Sequence, residues 1–152
     1  GRVRVRVGAR IKWDPKVMNK YAILGPDKRL NKKLKENAFR LVNATVPRYA
    51  FNNAYMLSNR HYRVMNGRGQ IVGFAMISRN HKNERGNLKL HLIGTNKGRG
   101  IGRLLMMRII NNARNRGLKT VTLESVPEAR GFYNKLGFKP LGSWGYMRYY
   151  IT

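Results

Sequence analysis

A glycine-rich segment between a strand pattern and a helix pattern constrains this chain more than any other feature. This glycine loop, Lys97-Gly-Arg-Gly-Ile-Gly102, follows the alternating run Leu88–Ile93 and opens a helix predicted over Ile101–Arg116. Glycines at such a junction let the backbone approach a ligand closely, and free N–H groups at the helix start point at an anion. Arg99 and Arg103 add positive charge beside them. The segment predicts a pyrophosphate site, and the alternative is a tight turn that holds no ligand.

Two other phosphate-binding motifs fit this loop poorly. A Walker A loop is excluded because no Gly-Lys-Ser/Thr sequence follows the glycines. A dinucleotide-binding unit would place the loop after the strand that opens the fold, with an acidic residue about 20 residues further on. Here the apolar run Thr120-Val-Thr-Leu occupies that distance, and Glu124 comes slightly later.

Hydrophobic periodicity along residues 1–152 predicts a single domain with the element order β-α-α-β-β-β-α-β-α-β-β. Antiparallel hairpins come first and a parallel strand–helix–strand unit follows, which indicates a mixed α/β (α+β) sheet flanked by helices. The predicted elements are a basic strand or arm within residues 1–13, a helix over Asp27–Asn43, a second helix capped near Thr45–Pro47, strands Tyr62–Met65 and Ile71–Ile77, a turn around Asn83–Asn87, strand Leu88–Ile93, helix Ile101–Arg116, strand Thr120–Ser125, helix Pro127–Leu136, and strands Phe138–Leu141 and Tyr146–Ile151.

The charge of the chain predicts a polyanionic partner. Lys and Arg number 32 against 6 Asp and Glu, for a formal net charge of +26. Nucleic acid is the commonest such partner, an acidic protein assembly is the alternative, and an anionic membrane surface is the lesser candidate. At the start of the chain Arg2, Arg4 and Arg6 alternate with valines, which predicts a strand with one basic face. That face is either a line of phosphate contacts or the solvated charged face of an edge strand. The candidate contact residues are Arg2, Arg4 and Arg6 in the first strand and Lys28, Arg29, Lys32, Lys33 and Lys35 on the first helix.

Composition also excludes several kinds of site. The chain has no Cys, which rules out disulfides, thiolate nucleophiles and Cys-based zinc sites. His61, His81 and His91 show no recognisable ligand spacing, so no metal site is expected. No apolar run is long enough to span a membrane, and the first residues lack the apolar core of a secretory signal. We therefore expect an intracellular protein of a reducing compartment. A virion or nucleoprotein particle is a second candidate location.

A second motif, Ala129-Arg-Gly-Phe-Tyr133-Asn-Lys-Leu-Gly-Phe138, lies one helix and one strand beyond the glycine loop. Together the two motifs resemble the GNAT family of acetyl-CoA-dependent N-acetyltransferases. The loop is similar to that family's Arg/Gln-x-x-Gly-x-Gly/Ala sequence, with Lys97 in the Arg/Gln place. The second motif is similar to its Ala-x-x-x-Tyr-x-x-x-Gly-Phe helix and strand. The resemblance covers nearly the whole chain, most specifically Leu88–Pro140, and its short junctions also resemble acetyltransferase-like proteins of large DNA viruses.

The resemblance implies a GNAT-like sheet, acetyl-CoA as cofactor and a role for particular residues. The backbone N–H of Leu92, on a splayed fourth strand, would meet the acetyl carbonyl. Tyr133 would protonate the leaving thiolate, and the alternative is a core tyrosine packed beside Phe132. The implied cofactor-binding residues are Leu92, Lys97, Gly98, Arg99, Gly100, Ile101, Gly102 and Arg103.

The general base is where the sequence departs from the family pattern. The fourth-strand positions expected to face the cleft are Gly86, Leu88 and Leu90, and none of their side chains can accept a proton. Glu124 on the fifth strand is one substitute, with a salt bridge to a basic neighbour as its favoured alternative. His91 is another, but alternation turns it away from the cleft unless a bulge rotates it, and a packed strand histidine is its favoured alternative. A route through water, without a side-chain base, is the third possibility.

Two classes of function follow. One is an active N-acetyltransferase whose basic surface holds it on nucleic acid or an acidic partner, and the sequence does not name its acceptor amine. The other is a GNAT-like fold used as a structural or nucleic-acid-binding component of a virion or ribonucleoprotein particle. The glycine loop and Tyr133 favour the enzyme, whereas the missing base and the net charge of +26 favour the second class.

Overall fold

A computed structural model describes residues 21–79, 85–97 and 100–152. Within these ranges the chain forms seven strands and four α-helices, with a short 3₁₀ turn over Pro127–Ala129 before the last helix. The elements in chain order are β1 (Tyr21–Asp27), α1 (Lys32–Val42), α2 (Arg48–Leu57), β2 (Arg60–Asn66), β3 (Ile71–Arg79), β4 (Asn87–Thr95), α3 (Ile101–Asn115), β5 (Thr120–Glu124), α4 (Arg130–Leu136), β6 (Lys139–Pro140) and β7 (Tyr146–Tyr150).

The strands form one sheet in the order β1-β2-β3-β4-β5-β7-β6. Every neighbouring pair is antiparallel except β4 and β5, which run parallel and are joined through α3. A parallel pair needs such a crossover because a tight turn cannot return the chain to the same end of the sheet. The mixed, mostly antiparallel architecture predicted from the sequence is confirmed, together with its element order.

Helices cover the sheet on both faces and divide the core in two. On one face α3 packs its apolar stripe, which includes Leu105 and Ile109, against strand residues such as Val121. On the other face α1 and α2 cover β3 and β4, and Phe51 packs there against Phe74 with ring centroids 6.0 Å apart. Burying these side chains is the main source of stability of the domain.

The strand that opens the described sheet was not predicted from the sequence. The alternating segment at residues 2–7 and the proposed arm of residues 1–13 lie outside the described residues. The strand that opens the sheet is β1, which the sequence analysis did not identify. It pairs antiparallel with β2 from Tyr21↔Asn66 to Asp27↔His61. Its mixed sequence, Tyr-Ala-Ile-Leu-Gly-Pro-Asp, has no clear alternation, so pairing with β2 decides its conformation.

The first two helices begin later than predicted. Asp27 belongs to β1, and α1 starts at Lys32 because the side chain of Asn31 caps it by accepting a 2.8 Å hydrogen bond from the N–H of Leu34. Thr45 closes α1 rather than capping α2, since its N–H donates to the carbonyl of Val42. Pro47 is the N-cap of α2, without a side-chain hydrogen bond.

Turn chemistry fixes the central hairpin as predicted. The Asn66 side chain accepts hydrogen bonds from the N–H groups of Arg68 and Gln70 at 3.0 and 2.9 Å, which closes the turn between β2 and β3. This is the local Asx geometry that makes asparagine a turn residue. The second predicted turn, around Asn83–Asn87, is described only from Arg85 onward. Among the described helices, none is long and apolar enough to cross a membrane.

Burial of His61 makes the fold sensitive to acid. Its side chain is buried on β2, stacks on Tyr55 at 4.9 Å between ring centroids and shares a 2.8 Å hydrogen bond with the Ser58 hydroxyl. Desolvation lowers the pKa of His61 below its ordinary value of 6.5, so the folded state binds its proton less readily than the unfolded chain does.

We expect the free energy of unfolding to be fully retained at neutral pH and to fall as the pH drops below about 6.5. The contribution of one such group is at most about 1.4 kcal/mol per pH unit. Denaturant unfolding at several pH values measures it, with His61→Gln as the comparison because glutamine does not titrate. Parallel pH dependence in the two proteins would show that His61 is not responsible.

Candidate active site

The parting of two parallel strands creates a large cleft at one end of the sheet. β4 and β5 pair from Asn87↔Thr120 to Leu90↔Leu123. β4 then continues to Thr95 paired only with β3. Beyond Leu90 the edge of β4 that faces β5 therefore has no strand partner. A cleft of about 1020 Å³ opens between the separated strands and extends to the start of α3 and to α4.

The described residues of the glycine loop, Lys97 and Gly100–Gly102, lie at one end of this cleft. Lys97 is exposed after β4, and Gly98 and Arg99 lie outside the described residues. Gly100 is the N-cap of α3 and has a φ of 70°, a left-handed conformation that favours glycine. The N–H groups of the first turn have no partner within the helix, and no acidic residue lies in that turn. This end of α3 is therefore suited to the phosphates of an anionic ligand.

The predicted loop residues take different places around this end of the cleft. Ile101, the first residue of α3, is buried, and Arg103 is exposed at the cleft. Gly102 lies against the aromatic side of the cleft, because a Cβ at this position would stand 3.3 Å from the ring of Phe132. Leu92, which was expected to serve through its backbone, lines the cleft on β4.

Tyr133 projects from α4 into the same cleft. Its ring is buried and meets the rings of Phe132 and Phe138 edge-on, at centroid distances of 5.1 and 5.6 Å. Burial raises the pKa of Tyr133 to about 12, so the hydroxyl stays protonated at neutral pH. The tyrosine is thus packed by the core, as one alternative expected, and it also lines the cleft, while its catalytic role stays a prediction.

A smaller cavity of about 480 Å³ lies beside the main cleft, under α2. Its outer wall comes from α2 and includes Tyr49 and Asn53, and its inner wall comes from the sheet. The two cavities share Leu90, His91 and Glu124. A ligand in the main cleft and a second ligand under α2 would therefore meet at these side chains.

Glu124 does not form the salt bridge that was its favoured interpretation. The described acids are Asp27, Glu36, Glu124 and Glu128. Asp27 pairs with Arg63, and Glu36 pairs with Arg48 at 2.8 Å; no ion pair to Glu124 or Glu128 occurs in the described part of the chain. Both of the latter line the main cleft, so the carboxylates without a counter-ion lie there.

His91 lies at the cleft because β4 has a bulge. Met76 of β3 faces Leu92 and the next residue, Ile77, faces Leu90, which leaves His91 as the extra residue. A bulge interrupts the alternation of side chains, and His91 and Leu92 consequently depart from simple alternation. The Nε2 atom of His91 shares a 2.7 Å hydrogen bond with the hydroxyl of Ser78. This bulge is the condition under which His91 was expected to face the cleft.

Sequence reasoning missed the residues that tertiary packing brings to the site. Of the positions expected to face the cleft, Leu90 lines both cavities and also packs in the core beneath α3, whereas Leu88 belongs to that core and Gly86 precedes β4. Ser78 and the α2 residues Tyr49 and Asn53 were not identified, because nothing in their local sequence marks them. Within the described ranges no cluster of His, Asp or Glu is suited to hold a metal ion.

A splayed parallel pair, a following helix whose start is suited to an anion, and a buried tyrosine at the cleft are together suited to a phosphate-bearing cofactor. Comparison with known proteins identifies the class. Residues 30–149 match the acetyltransferase (GNAT) domain family. The chain belongs to the GNAT family, whose members use acetyl-CoA.

Individual relatives agree with this assignment. N-alpha-acetyltransferase RimI of Mycobacterium tuberculosis is 31% identical over 99 residues, which cover 63% of each chain. The ribosomal-protein-S18-alanine N-acetyltransferase of Escherichia coli matches 87% of this chain and 94% of its own, with a TM-score of 0.65 and 19% identity. A GNAT N-acetyltransferase of Escherichia coli in complex with CoA matches 93% of this chain and 86% of its own, with a TM-score of 0.67 and 13% identity. At these identities the two structures show the shared fold.

Bulky residues in the glycine loop should abolish acetyl-CoA binding. Replacing Gly100 and Gly102 together with valine forces a side chain into the left-handed conformation at Gly100 and fills the space beside Phe132. We expect the calorimetric affinity for acetyl-CoA to fall at least tenfold while the circular dichroism spectrum is kept.

Gly117→Val is the matched control for the backbone strain. Gly117 has a φ of 74° at the other end of α3, and like Gly100 it has open space where a Cβ would stand. The control should bind as the unmodified protein does. Undiminished affinity in the double variant would contradict a cofactor site at this helix end.

Proposed function

We propose that this protein transfers the acetyl group of acetyl-CoA to an amine that enters through the cavity under α2. The observation that carries the proposal is the junction of the two cavities at Leu90, His91 and Glu124. Acetyl-CoA supplies an acetyl thioester, and transfer to the amine releases its thiol. The glycine loop and the first turn of α3 are suited to hold the phosphates, which leaves the thioester end for the open edge of β4.

Glu124 is proposed to take the proton of the acceptor amine. It lines both cavities and has no ion-pair partner among the described residues, so its carboxylate is available to an ammonium group. His91 forms the adjacent wall, with its Nε2 atom engaged by Ser78. The Glu124 carboxylate can first attract the charged amine and then accept a proton from it.

Tyr133 is proposed to donate a hydrogen bond to the sulfur as negative charge develops on it. A pKa of about 12 keeps the hydroxyl protonated, which a donor requires. A free thiol has a pKa of about 8.5, so complete transfer of a proton from Tyr133 to the thiolate is unfavourable. Stabilisation of the developing charge is the contribution that this geometry favours.

The α-amino group at the start of a polypeptide is the proposed acceptor. An α-amino group has a pKa of about 7.7 to 8.0, against about 10.4 for a lysine side chain, so much less free energy is needed to make it neutral. The relatives named N-alpha-acetyltransferase and ribosomal-protein-S18-alanine N-acetyltransferase support this choice. This chain matches 63% of the length of the first of these, so the assignment of the acceptor is a proposal for the whole protein.

We also propose that the positive surface holds the enzyme on a polyanion. Lys28, Arg29, Lys32 and Lys33 are exposed around the start of α1, where the helix dipole disfavours cations and the first turn has no acidic residue. Lys35 differs from them, because its ammonium group lies over the ring of Tyr55 at 4.3 Å. Arg2, Arg4 and Arg6 lie outside the described residues. The alternative of a structural protein without activity was favoured by the net charge and by the missing base on the fourth strand, and Glu124 is proposed to supply that base.

Replacing Tyr133 with phenylalanine should slow turnover without a matching loss of acetyl-CoA affinity. The ring keeps its contacts with Phe132 and Phe138, and only the donor to the developing thiolate is lost. We expect kcat to fall about tenfold or more, measured with short peptides that have free α-amino groups. Wild-type turnover in this variant would show that Tyr133 only packs.

Replacing Glu124 with glutamine should lower kcat/KM for the peptide about tenfold or more and leave acetyl-CoA affinity unchanged. Glu128→Gln is the matched control, because Glu128 also lines the main cleft without an ion pair but does not line the cavity under α2. The control should retain most activity. Equal losses in the two variants would mean that the carboxylates act only through their charge.

A further inference from the structure

One half of the sheet has a face that the described helices leave open. On the side of α1 and α2, these helices pack against β3 and β4. The strands that follow in the sheet, β5, β7 and β6, point alternate side chains to this same side. Tyr146 and Tyr150 of β7 are exposed there by 42% and 57%, whereas Met147 between them is buried in the opposite core.

Strand register places two cations of the open face in one row with a third cation, Lys89, which lines the cavity under α2 at the edge of that face. Lys89 of β4 faces Thr122 of β5, Thr122 faces Arg148 of β7, and Arg148 faces Lys139 of β6. Residues that face each other in neighbouring strands have their side chains on the same side of the sheet. We call this line the cation row.

The cation row contains an unfavourable pair. Arg148 and Lys139 are directly opposite each other, and like charges at such positions destabilise a sheet. Neither residue forms an ion pair within the described ranges. A ligand with negative charges along the row would relieve this repulsion, which is the charge complementarity expected of a polyanion site.

Tyrosines lie on both sides of the cation row. Tyr146 and Tyr150 lie on either side of Arg148 in β7. Tyr146 faces Glu124 of β5, and Tyr150 faces Thr120 of β5. The guanidinium of Arg148 lies 5.8 Å from the centre of the Tyr150 ring, so charge and aromatic surface are adjacent. Cations that follow a backbone, with exposed rings on which bases stack, are what proteins use to bind single strands without sequence preference.

We propose that this open face binds single-stranded nucleic acid, with its phosphates along the cation row and its bases on Tyr146 and Tyr150. The inference rests on the polyanion proposed above and narrows it to one chemical class and one surface. A duplex fits less well, because its paired bases cannot stack on the tyrosines. The row ends at Lys89, which lines the acceptor cavity together with Glu124, so the bound strand would lie beside that cavity.

The test is fluorescence anisotropy with a labelled, random-sequence single strand of about 20 nucleotides over a series of salt concentrations. The variant Lys139→Gln/Arg148→Gln removes two charges of the cation row. We expect it to weaken binding at least tenfold at low salt. Two lost phosphate contacts should also reduce the slope of log affinity against log salt by about 1.4.

Matched controls distinguish an effect of this face on binding from an effect of the overall charge. Arg68→Gln/Arg116→Gln removes the same charge at exposed positions elsewhere, and Lys32→Gln/Lys33→Gln does so at the start of α1. Both should bind more tightly than the cation-row variant. Because neutralisation relieves a repulsion, the thermal midpoint of the cation-row variant should equal or exceed that of the unmodified protein, which excludes misfolding as the cause.

The stacking of bases on Tyr150 is tested with a separate variant. Tyr150→Ala should weaken binding of the single strand by about fivefold or more and leave binding of a duplex of equal length unchanged, whereas Tyr150→Phe should bind as the unmodified protein does.

Four results would overturn the inference. If the cation-row variant binds as its controls do, this face is not the site, and the polyanion proposal stands without it. If the unmodified protein does not bind at low salt, both proposals fail. Tighter binding to polyglutamate of equal charge would assign the face to an acidic protein. Loss of duplex and single-strand binding alike in Tyr150→Ala would remove the stacking role.

Discussion

The separation of β4 from β5 is the constraint on which the rest of the site depends. The two strands pair as far as Leu90 and Leu123, and beyond that point β4 keeps only its antiparallel neighbour β3. Giving up further pairing costs backbone hydrogen bonds that a continuous sheet would have made. In return the sheet gains a cleft with polar backbone along one wall and the start of α3 at its end. The bulge at His91 belongs to the same stretch and turns that side chain toward the cavities.

Charge is distributed so that the surface and the cleft attract opposite partners. The chain has a net charge of +26, and of its described acids two are neutralised by arginines. The other two, Glu124 and Glu128, line the cleft. A cationic amine is repelled by most of the surface and attracted near Glu124, whereas a polyanion is attracted by the cation row. The proposed sites for the nucleic acid and for the amine therefore use different groups, apart from Lys89, which lies in the cation row and also lines the cavity under α2.

An α-amino acceptor needs little help from side chains to lose its proton. Such an amine is partly neutral near pH 7.5, so a single exposed carboxylate is enough to complete its deprotonation. Tyr133 is protonated because it is buried, and it needs no partner to keep its proton. The fourth strand can therefore lack a base where the family pattern places one, because Glu124 of β5 reaches the junction of the two cavities.

Local sequence determined the parts of this protein that depend on short-range chemistry. The Asn66 turn, the left-handed Gly100 at the start of α3, and the helix and strand around Tyr133 are each fixed by residues a few positions apart. The glycine loop and the motif around Tyr133, at their spacing, indicated the family and its cofactor, and hydrophobic periodicity predicted most of the elements.

Only the tertiary structure decided what depends on register between distant segments. β1 is a strand because β2 pairs with it, His91 faces the cavities because one residue of β4 is unpaired, and Glu124 has no described counter-ion because of where β5 ends. The cation row joins residues of four strands that are far apart in the chain. A shift of one residue in any of those pairings would move a side chain to the other face, and the sequence alone does not specify that register.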